Sequence, residues 1–144
     1  MTTVVWFKRD LRVEDHQQLV EASAGPVVCL YIYEPNGIHA PDYDGCHLAY
    51  VNKALASLEK QLKALGAQLV TRYGDAVEVL ERLHAEVQYG RIVSHQETGN
   101  FVTFQRDKAV RRWVRDKGIQ WDEFVQDGVI RGLKSRDGWS RKWY

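Results

Sequence analysis

Short apolar runs alternate along the chain with longer segments in which apolar residues recur every three or four positions. The runs at 4–7 and 27–33 are continuous and rich in β-branched or aromatic residues, which predicts strands buried on both faces. Similar runs predict strands at 68–73 and 91–94. At 119–125 apolar and polar residues alternate, which is typical of a half-exposed edge strand.

The clearest helical pattern lies at 48–65. Five leucines and one valine recur there at alternating spacings of three and four, and Gly66 supplies a C-terminal stop. Asp75, with Glu78 three residues later, predicts a capping box at the start of the next helix. These patterns place one helix after the second strand and one after the third.

The remaining connections are less regular. A short helix is predicted at 13–23, before Gly25-Pro26, and a longer one after the loop at 95–100, ending at Gly118. The sequence Glu-Pro-Asn-Gly at 34–37 predicts a turn.

Strand–helix units that follow one another in this way predict a parallel sheet with right-handed crossovers. The expected fold class is α/β: a three-layer, Rossmann-like, doubly wound five-stranded parallel sheet with helices on both faces. Two strand orders are common for such sheets, 2-1-3-4-5 and 3-2-1-4-5. We predict 3-2-1-4-5, because the continuously apolar first strand is best placed at the centre.

Composition adds little about partners. Twenty Lys and Arg residues against nineteen Asp and Glu leave a net charge of +1. No apolar run approaches the roughly 20 residues that span a bilayer, so no membrane partner is expected. Cys29 and Cys46 lack Cys-x-x-Cys spacing, which favours reduced thiols in a cytoplasmic protein. The five histidines are scattered, and the sequence predicts no metal site.

The pattern predicts one α/β domain at 1–127, followed at 128–144 by the start of an interdomain connector. The stretch 131–142 carries five basic residues and one acid, a local charge of 5 − 1 = +4. This stretch could dock another domain, contact nucleic-acid phosphates or be a solvated linker, and we favour docking.

The five tryptophans divide into two groups. Trp6, Trp113 and Trp121 lie on apolar stripes and are predicted to pack in the core. Trp139 and Trp143 lie in the polar, basic segment, which predicts that another surface covers them.

Ligands of doubly wound sheets bind beyond the carboxyl ends of the strands, where the strand order reverses. The predicted order puts this crevice between strands one and four, next to the polar loops at 8–12 and 95–100. The first loop holds no glycine, so neither a Gly-x-Gly-x-x-Gly nor a P-loop phosphate site is predicted. Alternatively, Arg9, Asp10 and Arg12 only pair with one another and cap the next helix. His95 and Glu97 could likewise only satisfy their own loop.

The segment Val-Trp-Phe-Lys-Arg-Asp-Leu-Arg-Val-Glu-Asp-His-Gln-Gln-Leu at 5–19 resembles the opening of photolyases and cryptochromes. That opening is an aromatic strand, a basic-basic-Asp-Leu-Arg turn, then Asp-Asn and a leucine. His16 stands where the family commonly has asparagine. Further stretches of resemblance lie at 30–35, 65–75, 98–107 and 128–139.

The resemblance implies a Rossmann-like antenna domain that can hold a second chromophore, a folate or a deazaflavin, or none. Arg9, Asp10, Arg12 and Glu97 are compatible with the deazaflavin mode. Folate-binding relatives have an Asn-Glu pair where Val102-Thr103 stands here.

The resemblance also implies partners for the whole protein. A helical domain that follows would bind FAD and DNA, contact the segment from Arg131 to Tyr144, and carry the chemistry of pyrimidine-dimer repair or of signalling. That domain would need about two hundred further residues. No catalytic residue of this reaction is therefore expected here, and these 144 residues should be inactive alone. The alternative hypothesis is a stand-alone α/β module that binds a nucleotide or a protein partner.

Overall fold

The structure is a computed structural model that describes residues 1–142. Its strands are β1 Thr3–Phe7, β2 Val27–Tyr33, β3 Leu69–Tyr73, β4 Arg91–His95 and β5 Gln120–Phe124. Its helices are α1 Gln17–Ala22, α2 Pro35–Ile38, α3 Gly45–Ala64, α4 Ala76–Val87 and α5 Phe101–Lys117, with a 3₁₀ turn at Trp139–Lys142.

All strand pairs are parallel, and the strand order is β3-β2-β1-β4-β5. Both the predicted fold class and the predicted order are therefore confirmed. In the central strand, Val5 lies opposite Cys29 of β2 on one side and Val93 of β4 on the other.

Alternate residues of β1 serve two separate cores. Trp6 packs with Leu80 of α4 and Val110 of α5 on one face of the sheet. Phe7 packs with Leu58 of α3 on the other face, where α1 also contributes. Trp6 and Phe7 point to opposite faces and both are buried, which explains why the strand is a continuous apolar run.

The helix ends are set by short-range hydrogen bonds. Asp75 accepts from the backbone N–H groups of Val77 at 2.9 Å and Glu78 at 3.2 Å, so the predicted N-cap of α4 is confirmed. A full capping box is present at α3 instead, between Asp44 and His47.

Two local predictions need correction. Residues 35–38 form the short helix α2 and not only a turn, because Pro35 presets the helical φ at the first position. Helix α1 begins at Gln17 and not near 13, because Asp15 adopts a φ of +47° and Arg12 bonds to its carbonyl oxygen.

Removing the N-cap side chain of α4 tests whether its hydrogen bonds stabilise the fold. We expect Asp75→Ala to lower the free energy of unfolding by about 1 kcal/mol, because two backbone donors lose their acceptor. Urea unfolding measures the change. The matched control is Glu86→Gln at the other end of α4, which removes an exposed pair with Arg72 and should cost under about 0.5 kcal/mol. Equal losses in both variants would contradict the capping role.

Within residues 1–142, no helix has both the length and the apolar character needed to cross a bilayer.

Candidate functional site

The carboxyl ends of β1 and β2 open into a cavity of about 430 Å³. Four tyrosines line it, and we name it the tyrosine-lined cavity: Tyr31, Tyr33, Tyr43 and Tyr50. Charged side chains from five segments of the chain complete its wall: Lys8, Arg9, Glu34, Asp42, Glu97 and Arg106. Its size and mixed lining are typical of small-molecule sites.

The position of this cavity corrects one prediction. The crevice was expected between the ends of strands one and four, but the cavity extends over β1 and β2. The gap between β1 and β4 is filled, because Asp10 turns inward and lies 2.7 Å from the His95 ring. The loop after β4 still reaches the cavity through Glu97 and Asn100.

Two of the four predicted site residues meet in the cavity. The Nε atom of Arg9 lies 3.0 Å from an Oε atom of Glu97, and both residues line the wall. Arg9 is 63% exposed whereas Glu97 is 8% exposed, so a buried carboxylate holds a cation at the mouth. The loops after β1 and β4 thus come together as expected.

The other two predicted residues lie elsewhere. Asp10 is buried, and its partners are His16, His95 and Gln18. Arg12 is exposed and donates to the carbonyl oxygens of its own loop. Neither lines the tyrosine-lined cavity.

Arg106 of α5 is the central charge of the site, and it is not among the predicted site residues. Its guanidinium contacts Glu34 at 2.7 Å, Asp107 at 3.0 Å and Glu97. Burial opposes the charged form, but these three carboxylates raise the pKa of Arg106 above its ordinary value. An arginine inside an otherwise apolar stripe was the available signal for this role.

Glu34 and Lys8 show the effect of the same buried environment. Burial raises the pKa of Glu34, against the attraction of Arg106. Burial also lowers the pKa of Lys8, whose Nζ atom lies 3.5 Å from Asp107 and 4.5 Å from the centre of the Trp6 ring. The site therefore combines desolvated, mutually paired charges with an aromatic wall, which suits a planar ligand, and the exposed Arg9 is the cation best placed to contact an anionic group.

A second cavity of about 440 Å³ lies between α2 and α5. It shares Glu34, Gly37, Thr103 and Arg106 with the tyrosine-lined cavity and adds Phe101 and Val102. In the stretch Val102-Thr103, where the resemblance places the folate-contacting pair, Val102 lines only the second cavity and Thr103 lines both.

The segment after β5 is joined to the site by Arg131. Its guanidinium lies 3.2 Å from Asp107 and 3.4 Å from Glu123. Trp139 is partly exposed and donates to the carbonyl oxygen of Gly128 at 3.0 Å. The prediction for Trp143 falls outside the described residues.

The model of the DNA photolyase family matches residues 3–132. This chain belongs to the DNA photolyase family. A deoxyribodipyrimidine photo-lyase of Agrobacterium fabrum is 32% identical over 121 residues, which are 81% of this chain and 24% of the relative. A cryptochrome DASH of Gloeobacter violaceus is 32% identical over 114 residues, 74% of this chain and 23% of the relative.

Solved photolyases have the same fold. A bacterial class III photolyase from Agrobacterium tumefaciens superposes with a TM-score of 0.80 at 28% identity, over 95% of this chain and 28% of its own. An archaeal photolyase from Sulfolobus tokodaii with two FAD molecules gives 0.76 at 25% identity, over 90% of this chain and 30% of its own. The chain spans about a quarter of the length of its curated photolyase relatives and corresponds to the family's N-terminal α/β domain.

Proposed function

We propose that this chain is the antenna-chromophore domain of a blue-light flavoprotein, and that the whole protein is a photolyase that repairs pyrimidine dimers in DNA or a cryptochrome-like relative. The observation that carries the antenna role is the tyrosine-lined cavity, with Arg9 at its mouth, in a chain of the photolyase family.

The cavity residues fit a planar aromatic pigment. Tyr31 and Tyr33 lie edge to face with ring centres 5.1 Å apart, and such rings pack well on flat heterocycles. Arg9 can donate paired hydrogen bonds to a phosphate or carboxylate of the pigment, while Glu97 orients the guanidinium. The pigment itself would supply the absorption of light.

A deazaflavin or flavin suits the site better than a folate. The Sulfolobus tokodaii photolyase contains two FAD molecules, with the implication of a novel light-harvesting cofactor. In this chain the predicted contacts Arg9 and Glu97 meet in the cavity. The family's folate-contacting Asn-Glu pair is replaced by Val102-Thr103. Asp10 and Arg12 would support the loop without touching the pigment.

The catalytic FAD and the DNA would be bound by a helical domain that follows the segment from Arg131 to Tyr144. Exposed apolar side chains in and just before this segment would be covered by such a domain: Val129, Leu133 and Trp139. We further propose a cytoplasmic location, in keeping with the free thiols of Cys29 and Cys46.

Pigment binding tests the antenna role. The purified chain should bind a deazaflavin or FMN saturably, with one pigment per chain by equilibrium dialysis and a change in pigment fluorescence. Arg9→Ala should weaken binding about tenfold or more, because a charge-assisted contact is lost.

The matched control is Arg12→Ala, which removes an exposed arginine of the same loop outside the cavity. The Arg12→Ala variant should bind the pigment with the same affinity as the unaltered chain. Failure of the chain to bind deazaflavin, FMN or a methenyl-folate would overturn the antenna role. Equal losses in both variants would overturn the assignment of Arg9.

A further inference from the structure

A second cluster of ionisable side chains lies away from the tyrosine-lined cavity, beneath the loop that follows β1. An Oδ atom of Asp10 lies 2.9 Å from Nε2 of His16 and 2.7 Å from Nδ1 of His95. One ligand atom from each of the three residues lies within 4.8 Å of the other two. All three side chains are buried, so water does not compete for these atoms.

Gln18 completes the cluster as a fourth polar group. Its side-chain nitrogen lies 3.0 Å from Nε2 of His16 and 3.2 Å from Nδ1 of His95, and it also contacts Asp10. Its carbonyl oxygen is fully buried and has no hydrogen-bond partner among the described residues. The two ends of an amide differ only by a half-turn, which would bring this oxygen into the cluster.

The hydrogen bonds alone do not satisfy this cluster. One carboxylate oxygen of Asp10 serves as the acceptor for both rings and for the amide. The amide oxygen of Gln18 is left without a partner within the described part of the chain, and a buried polar atom of this kind costs about 1–3 kcal/mol. Nδ1 of His16 also lacks a partner there, but the ligand atom of His16 would be Nε2, so only the Gln18 oxygen would gain a partner from a metal.

We propose that Asp10, His16 and His95, together with the amide oxygen of Gln18, bind one divalent first-row cation, of which Zn²⁺ is the best match. Two imidazole nitrogens and two oxygens, with no thiolate, suit Zn²⁺, Co²⁺ or Fe²⁺. Four protein ligands in a closed, buried site indicate a structural role. This proposal replaces the sequence-based expectation of no metal site.

The geometry of the cluster is compact and must open to admit a metal. Four ligand atoms about 2.1 Å from a tetrahedral metal stand about 3.4 Å apart. The four pairs between a histidine ring and Asp10 or Gln18 lie between 2.7 and 3.2 Å apart, so they need outward shifts of a few tenths of an ångström. The contact between Asp10 and Gln18 is shorter, so the Gln18 side chain must move further than the rings. The backbone N–H of Lys8 already orients Asp10 by donating to its other oxygen at 2.8 Å.

The metal would join three parts of the fold. Asp10 lies in the loop after β1, His16 is the N-cap of α1, and His95 ends β4. None of these three residues lines the tyrosine-lined cavity, so pigment binding and metal binding can succeed or fail independently.

The experiment uses Co²⁺ as a spectroscopic probe and Zn²⁺ as its competitor. The chain carries Cys46→Ser, because the exposed Cys46 adjoins His47 and could bind metal adventitiously. Because the cluster is buried, the protein is stripped with a chelator, unfolded in urea and refolded with Co²⁺. We expect one Co²⁺ per chain, visible bands of tetrahedral intensity without a thiolate band, and displacement by Zn²⁺. Excess Zn²⁺ should raise Tm by several degrees.

Two variants remove ligands and one serves as the control. His16→Asn introduces the residue that photolyases commonly carry there, and His95→Asn removes the ligand from β4. Both should weaken Co²⁺ binding at least a hundredfold. His39→Asn alters an exposed histidine outside the cluster, and this variant should bind Co²⁺ with the same affinity as the chain that carries only Cys46→Ser.

The proposal is overturned if the refolded chain takes up no stoichiometric Co²⁺, or if His16→Asn and His39→Asn bind it equally. Should His16→Asn fail to fold, the comparison of His95→Asn with His39→Asn decides in the same way.

Discussion

Replacing Arg106 with alanine is expected to lower the free energy of unfolding by about 3–5 kcal/mol at pH 7. The guanidinium is almost fully buried and contacts Glu34, Glu97 and Asp107. Without it, these carboxylates are left close together in a poorly solvated site. Lys8, Arg9 and Arg131 stay nearby and limit the loss.

The loss should shrink as the pH falls. Without the guanidinium of Arg106, Glu34 loses the attraction that opposes the effect of burial, so its folded-state pKa rises further above its unfolded value of about 4.3. The penalty from Glu34 is then full at neutral pH and is relieved as the pH falls through the raised folded value. Urea unfolding at pH 7 and pH 5 measures both quantities.

Arg82→Ala is the matched control for Arg106. Arg82 pairs with Glu78 at 3.6 Å on the exposed face of α4, where solvent screens the interaction. Its loss should stay below about 0.5 kcal/mol and should not depend on this pH interval. Similar losses for the two variants would show that the buried network contributes no more than a surface pair.

Trp6→Ala is expected to lower the free energy of unfolding by about 3–5 kcal/mol, because it removes a large buried side chain from the central strand of the sheet. Trp6 is 1% exposed, and its ring lies 6.0 Å from that of Trp121. The ring also faces the buried ammonium of Lys8, which would lose its closest aromatic contact. The urea midpoint, followed by circular dichroism, measures the loss.

Two companion variants keep this prediction decisive. Trp6→Phe retains a ring and should lose less than half as much, which gives a measurable value even if the alanine variant is unfolded. Phe101→Ala removes an aromatic side chain that is 73% exposed and should change stability by less than about 0.5 kcal/mol. A loss of similar size in Trp6→Ala and Phe101→Ala would contradict the core role of Trp6.

The sheet could be predicted from the sequence because its signals are local. The apolar run of β1 indicates that the strand is buried on both faces, and the leucine spacing of α3 indicates that one face of the helix is buried. Period-two alternation also places Trp6 and Lys8 on the same face, where the ammonium lies over the ring. Such periodicities can be recognised in a single sequence because each of them repeats within one helix or strand.

The site was harder to predict because it depends on the directions of single side chains. A loop residue such as Asp10 can turn toward solvent or toward the interior, and the buried His16 and His95 determine that it turns inward. These two histidines lie on different elements, so no spacing rule connects them. Arg106 was missed for the same reason, because Glu34 and Glu97 lie on other segments and only Asp107 lies beside it in the sequence.

The strand order also has a consequence for synthesis on the ribosome. Strand β1 is central although it precedes the other four strands in the sequence, and Val5 pairs across its second edge only with Val93, which is 88 residues further along. At a translation rate of about 5–20 residues per second, that edge stays unpaired for roughly 4–18 s. During this interval the nascent chain exposes a continuously apolar strand with an unpaired edge, which is the kind of segment that chaperones bind.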